Sequence, residues 1–199
     1  MIILSQRDPR WAKLHYGATQ AASGSTIGAY GCAITALAMW LNVMLEPKRV
    51  YDPIRVQDEL LINGAYLPGS NPKTYNLVDW ERLPRIYPLR YAGRIHCVKR
   101  AATTKEIEQV MFRVVDRKVP IILYVDIQPD QTGFQQHFVL ATGVDSQSRF
   151  VVADPWYGDE KQITFRYTPN GVSPSNESAM SGSILLDYAA RAPWIVGMP

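Results

Sequence analysis

An α+β fold is predicted, with helices in the first part of the chain packed on an antiparallel sheet in the second. Three observations predict it. The run after "GAYGC" is apolar at helical spacing, with Ile34, Leu37, Leu41 and Met44 on one face. A second strong helix signal, "TTKEIEQVMFRVVDRK", closes the first part, and Thr103 with Glu106 forms a capping box. From Val119 onward the runs "VPIILYVDI", "HFVLATGVD" and "RFVVADPW" are β-branched and aromatic and are separated by turn residues. A chain of 199 residues fits one domain, 1–199, with a helical part over about 1–118 and a sheet part over about 119–199.

The elements follow in order. Ile2 to Leu4 reads as a short strand. Asp8 caps a helical turn that Pro9 opens. "GATQAASGSTIGAYG" is small, polar and glycine-rich and reads as a loop; the helix from Cys32 to about Met44 follows it. Asp52-Pro53 starts another helix and Gly64 ends it. "YLPGSNPKTYN" is a loop, "NLVDWERLP" a short helix, and Tyr87 to Val98 extended. "DSQS" joins two of the later strands as a hairpin turn, and "KQITFRY" reads as a further strand. "TPNGVSPSNESAMSGS" is loop-like, and "ILLDYAARAPWIVG" packs back as a last element.

Hydrophobic residues make up 47% of the chain, enough for a packed core. The net charge of +3 comes with no dense Lys/Arg block, which points away from nucleic acid. The start "MIILSQRDPRW" has no long apolar segment, and no run is long enough to span a membrane, so a soluble chain is expected. Its compartment stays open between cytoplasmic, phage-encoded and a domain of an exported protein. Two cysteines, Cys32 and Cys97, and three histidines, His15, His96 and His137, show no zinc-ligand spacing, so no metal or cofactor is expected. A Cys32–Cys97 disulfide is an alternative outside the cell.

Cys32 stands at the first turn of its helix, where unpaired N–H groups and the macrodipole favour an anion and lower a thiol's pKa. The structural alternative is a small buried residue. Gly28 and Gly31 would let a substrate backbone approach. His137 enters a strand from the polar loop "QPDQTGFQQ", and Asp154 ends the next strand. A hairpin about Asp145 to Ser148 brings the two together, and an aspartate so placed orients an imidazole and stabilises its charge. Singly, each has a bland reading: a hydrogen-bonded histidine and a turn aspartate before Pro155. An oxyanion needs donors, and the Cys32 N–H is one candidate. Gln6 and Gln20, both upstream, are the candidates for a second. Tyr30 and Trp156 lie nearest the site in sequence; Trp11, Trp40, Trp80 and Tyr157 read mostly as core or rim packing.

"QRDPRWA", "TIGAYGCAITALAMWL", "HFVLATGVD" and "FVVADPWYG", in that order between about Ile3 and Phe165, resemble the C39-like peptidases of the papain-like cysteine peptidase superfamily. The C-G-[SA]-C-[WY] signature of papain itself is absent, so the similarity is to the C39-like branch. The resemblance implies a papain-like fold, a helix carrying the nucleophile against an antiparallel sheet, and a Cys–His–Asp triad. Cys32 is then nucleophile, His137 general base and acid, Asp154 the orienting group, and Gln6 the oxyanion residue in preference to Gln20. Tyr30, Gly31 and Trp156 would contact substrate. The implied activity is peptide-bond hydrolysis through a thioester, on protein segments or on peptidoglycan stem peptides, without a cofactor. The other readings are a transglutaminase-like or acyltransferase-like enzyme with an amine acceptor, and a non-catalytic binding domain.

Overall fold

Residues Ala33 to Leu41 are buried without a break, and this apolar helix forms the middle of the molecule. The computed structural model describes residues 1–18, 25–45, 49–68, 76–96, 103–131, 135–179 and 184–190. In chain order the elements are α1 (Ile27–Tyr30), α2 (Cys32–Leu45), α3 (Pro53–Ile62), a 3-10 turn at Trp80–Arg82 running into α4 (Leu83–Ile86), β1 (Leu89–His96), α5 (Thr104–Met111), β2 (Ile121–Asp126), β3 (Gln136–Val144), β4 (Phe150–Asp154), β5 (Asp159–Gln162), α6 (Ile163–Tyr167), α7 (Asn176–Ala179) and β6 (Ile184–Ala190). The strands form one antiparallel sheet in the order β1-β6-β2-β3-β4-β5. This is the α+β arrangement expected of a papain-like fold.

The sheet is covered on both faces. On one face α2 packs with Val56 and Leu60 of α3 against Ile122, Leu140 and Ala153 of the sheet. Trp40, fully buried there, donates its indole N–H to the Pro120 carbonyl at 2.9 Å. On the other face Ile107 and Val110 of α5 and Ile163 and Tyr167 of α6 cover Leu123, Val139, Ala141 and Val152. Alternate residues of β2, β3 and β4 therefore serve different cores. No helix among the described residues is long and apolar enough to cross a membrane.

Local signals explain the helix boundaries. Asp52 accepts from the Arg55 N–H at 2.8 Å, with Pro53 opening α3. Thr103 and Glu106 form the reciprocal capping box of α5. The helix then widens to a π turn over Phe112–Asp116.

Several elements differ from expectation. Ile2 to Leu4 is not a strand: Leu4 is buried against α2, its N–H directed at the Met39 sulfur at 3.3 Å, with no partner strand. The glycine-rich loop contains α1, capped by Thr26. "KQITFRY" divides into β5 and α6, because Ile163 and Tyr167 both turn into the core under the sheet. The loop-like tail includes α7, and its Asn176 side chain is tied to the Phe150 N–H and the Ser148 carbonyl. The stretch expected to be extended, Tyr87 to Val98, does carry a strand, β1, which joins the sheet from within the part assigned to helices, and the final strand β6 inserts between it and β2. Cys97, Gln20 and the loop centred on Asn71 lie outside the described residues.

Candidate active site

Thr26 caps α1 by accepting from the Ala29 N–H, and Gly31 separates that single turn from α2. Cys32 therefore begins α2, where the first N–H groups of a helix lack intrahelical partners. It is a free thiol, partly exposed. The two glycines before it have a structural reason. A Cβ on Gly31 would stand 2.5 Å from the Ile27 carbonyl oxygen, and one on Gly28 2.8 Å from that of Ala12. They make room for the chain's own backbone as it turns into α2.

The hairpin β3–β4 forms about Asp145, whose side chain accepts from the N–H groups of Gln147 and Arg149. Its register is not regular. Val144 pairs with Phe150 and Gly143 with Val151, but Ala141 pairs with Val152 and Leu140 with Ala153. Thr142 is thus an extra residue in β3, a β-bulge. The bulge decides which face Asp154 shares with β3. Beyond it Asp154 stands opposite Val139, on the face that also carries His137 two residues along. Without it Asp154 would stand opposite Leu140, and the histidine would point to the other side of the sheet.

With the bulge, His137 Nε2 and Asp154 Oδ1 are hydrogen-bonded at 2.8 Å, both side chains essentially buried. The Asp154 carboxylate is saturated. Oδ1 also accepts from the Trp156 N–H at 2.9 Å. Oδ2 accepts from Arg166 Nη1 at 3.0 Å and from the Tyr167 hydroxyl. Arg166 is held in turn by Asp159 through two bonds of 2.7 Å. Burial works against the Asp154 charge, but the bonds and charge of His137, the Tyr167 hydroxyl and the Trp156 N–H outweigh it and lower its pKa. Burial likewise opposes charge on His137. The bond to Asp154 and the neighbouring Cys32 side chain overcome it and push the imidazole up to about 9. Cys32 is thus within electrostatic reach of His137, and also of Tyr16 and Tyr124.

Gln6 is 1% exposed. Its N–H is bonded to the Pro155 carbonyl at 2.8 Å, which ties the N-terminal segment to the loop after Asp154. Its amide Nε2 donates to the Gly28 carbonyl at 3.1 Å, four residues before Cys32, while Oε1 is buried without a partner. Despite the long stretch of sequence between them, Gln6 thus reaches the backbone four residues before Cys32. Of the aromatic candidates, Tyr30 is 60% exposed and Trp156 partly buried, whereas Trp11 and Trp40 belong to the core.

The residues that sequence reasoning missed are Arg166 and Tyr167. They sit in "KQITFRY", whose composition suggests a strand; as a helix it turns both toward Asp154. Among the described residues no group of three histidine, cysteine or carboxylate side chains could hold a metal ion.

A family model, that of the Peptidase_C39 like family, matches residues 13–173. The match takes in Cys32, His137 and Asp154 and begins after Gln6. A search of curated proteins finds no match.

Proposed function

The chain belongs to the C39-like peptidase family, a family of peptidases and so of hydrolases, and on that footing we propose that it is a cysteine peptidase acting through Cys32, His137 and Asp154. The observation that carries the reading is a buried, hydrogen-bonded His137–Asp154 pair beside a free thiol at the start of a helix.

With Nε2 of His137 engaged by Asp154, Nδ1 is the nitrogen left for the thiol. It takes the Cys32 proton, and the thiolate attacks a peptide carbonyl. The imidazolium is stabilised by Asp154, which keeps its own charge because four donors hold it. The tetrahedral oxyanion is met by the Cys32 N–H and by the second N–H of the Gln6 amide, the first being committed to Gly28. Collapse expels the amine, which takes the proton from Nδ1 and leaves a thioester. Water, deprotonated at the same nitrogen, attacks the thioester, releases the acid and restores the thiol.

The test is alkylation of native protein by a thiol-directed reagent across pH, with Cys32→Ala and His137→Ala as controls. Fast labelling of Cys32 below about pH 7, slowed in His137→Ala, is expected of a thiolate–imidazolium pair. Labelling with the profile of an ordinary thiol, unchanged by His137→Ala, overturns the triad.

A further inference from the structure

Resting on the peptidase reading, we propose that Arg7 is a specificity determinant: a fixed cation at the rim of the site that favours peptides carrying a carboxylate beside the scissile bond.

Arg7 follows Gln6 directly. The segment is docked by the Gln6 N–H and the Ser5 hydroxyl, both donating to the Pro155 carbonyl. The Arg7 N–H is itself held by Ser5 Oγ at 3.1 Å. From there the guanidinium lies over the Trp156 ring, 4.7 Å from its centroid. The Trp156 N–H is one of the four donors to Asp154. One neighbour of Arg7 in sequence thus reaches toward Cys32 through Gly28, and the residue it stacks on holds the histidine's partner.

What sets Arg7 apart is that its charge is unspent. Arg10, three residues on, is chelated by Asp8 at 3.0 and 2.8 Å. Arg166, which lies over Tyr157 in the same manner, is neutralised by Asp159 and Asp154. Among the described residues no carboxylate pairs with Arg7, and the residue is exposed. Stacking on an indole fixes a guanidinium without consuming its in-plane N–H donors, a fork suited to a carboxylate. A cation so placed attracts anionic substrate and retains it by a charge-assisted bond.

The experiment uses two probes in a Cys97→Ser background. The first compares alkylation of Cys32 by anionic iodoacetate and neutral iodoacetamide. The second compares cleavage of matched peptides that differ by glutamate against glutamine next to the bond. Arg7→Ala should lower the anionic-to-neutral ratio about fivefold, the equivalent of one close charge contact in water. Arg7→Glu should lower it further, and Arg7→Lys should restore most of it. The Arg7-dependent ratio should shrink from 20 mM to 500 mM salt, as screening demands. Ratios equal across the four proteins, or insensitive to salt, overturn the proposal. Absence of turnover of every peptide by the parent protein overturns the peptidase reading instead, and the alkylation ratio still decides whether Arg7 attracts anions at Cys32.

Discussion

Replacing Tyr167 by phenylalanine removes one oxygen from a side chain that is 2% exposed and leaves the ring in place. That oxygen donates to Oδ2 of a fully buried carboxylate. A hydrogen bond to a charged group contributes about 1.5–3 kcal/mol, and the arrangement here is at the favourable end because the acceptor has no water to turn to. Without that donor the Asp154 pKa should rise toward its ordinary value. The sign follows from linkage. A carboxylate with a depressed folded pKa contributes stability that is present above the unfolded value, about 3.9, and lost as pH falls through the folded one. The variant should therefore be less stable by about 1.5–3 kcal/mol at pH 7, a fall in Tm of about 3–12 °C for a chain of this size. The deficit should narrow as pH drops below about 4. Urea denaturation at a series of pH values measures it, with Asp154→Asn as the second corner of a double-mutant cycle. A deficit that is constant with pH, or equally large in the Asp154→Asn background, would refute the reasoning and assign the loss to packing.

Three other expectations concern the same region. Deleting Thr142 takes out the extra residue and leaves a regular ladder in which Leu140 still pairs with Ala153 and Val139 still faces Asp154, so the His137–Asp154 bond should persist and activity should stay well above that of His137→Ala; amide NMR that shows Leu140 paired with Asp154 would refute this. Gly31→Ala puts a Cβ 2.5 Å from the Ile27 carbonyl, so the turn into α2 must open; a loss of about 1–3 kcal/mol in thermal or urea unfolding is expected. The His137 imidazole, observed by NMR of labelled histidine, should titrate near pH 9 and lower in Asp154→Asn. Its charge contributes stability that is complete below about pH 6.5 and disappears as pH rises through about 9.

Whatever depends on neighbours along the chain is legible in the residues themselves. Apolar periodicity and a preceding glycine turn specify a helix that begins at Cys32, and the caps at Asp52 and Thr103 mark where α3 and α5 begin. Turn residues between two β-rich runs specify the hairpin that carries His137 and Asp154. How these pieces face one another depends instead on long-range packing. Hairpin spacing alone puts the two residues near each other, yet a regular ladder would leave them on opposite faces, and one extra residue at Thr142 reverses that. The bulge satisfies both cores at once, with Ala141 and Val144 on the α5–α6 side and Leu140 and Ala153 on the α2 side. No local propensity encodes such a compromise. The same holds for "KQITFRY". Its residues favour a strand, but burial of Ile163 and Tyr167 wins, and the resulting turn delivers Arg166 and Tyr167 to the aspartate. Nor does local sequence place β6 between β1 and β2, because a strand's neighbours in a sheet are chosen by long-range pairing. Short-range rules place the chemical groups on their elements, and burial from two sides of one sheet turns those groups toward each other.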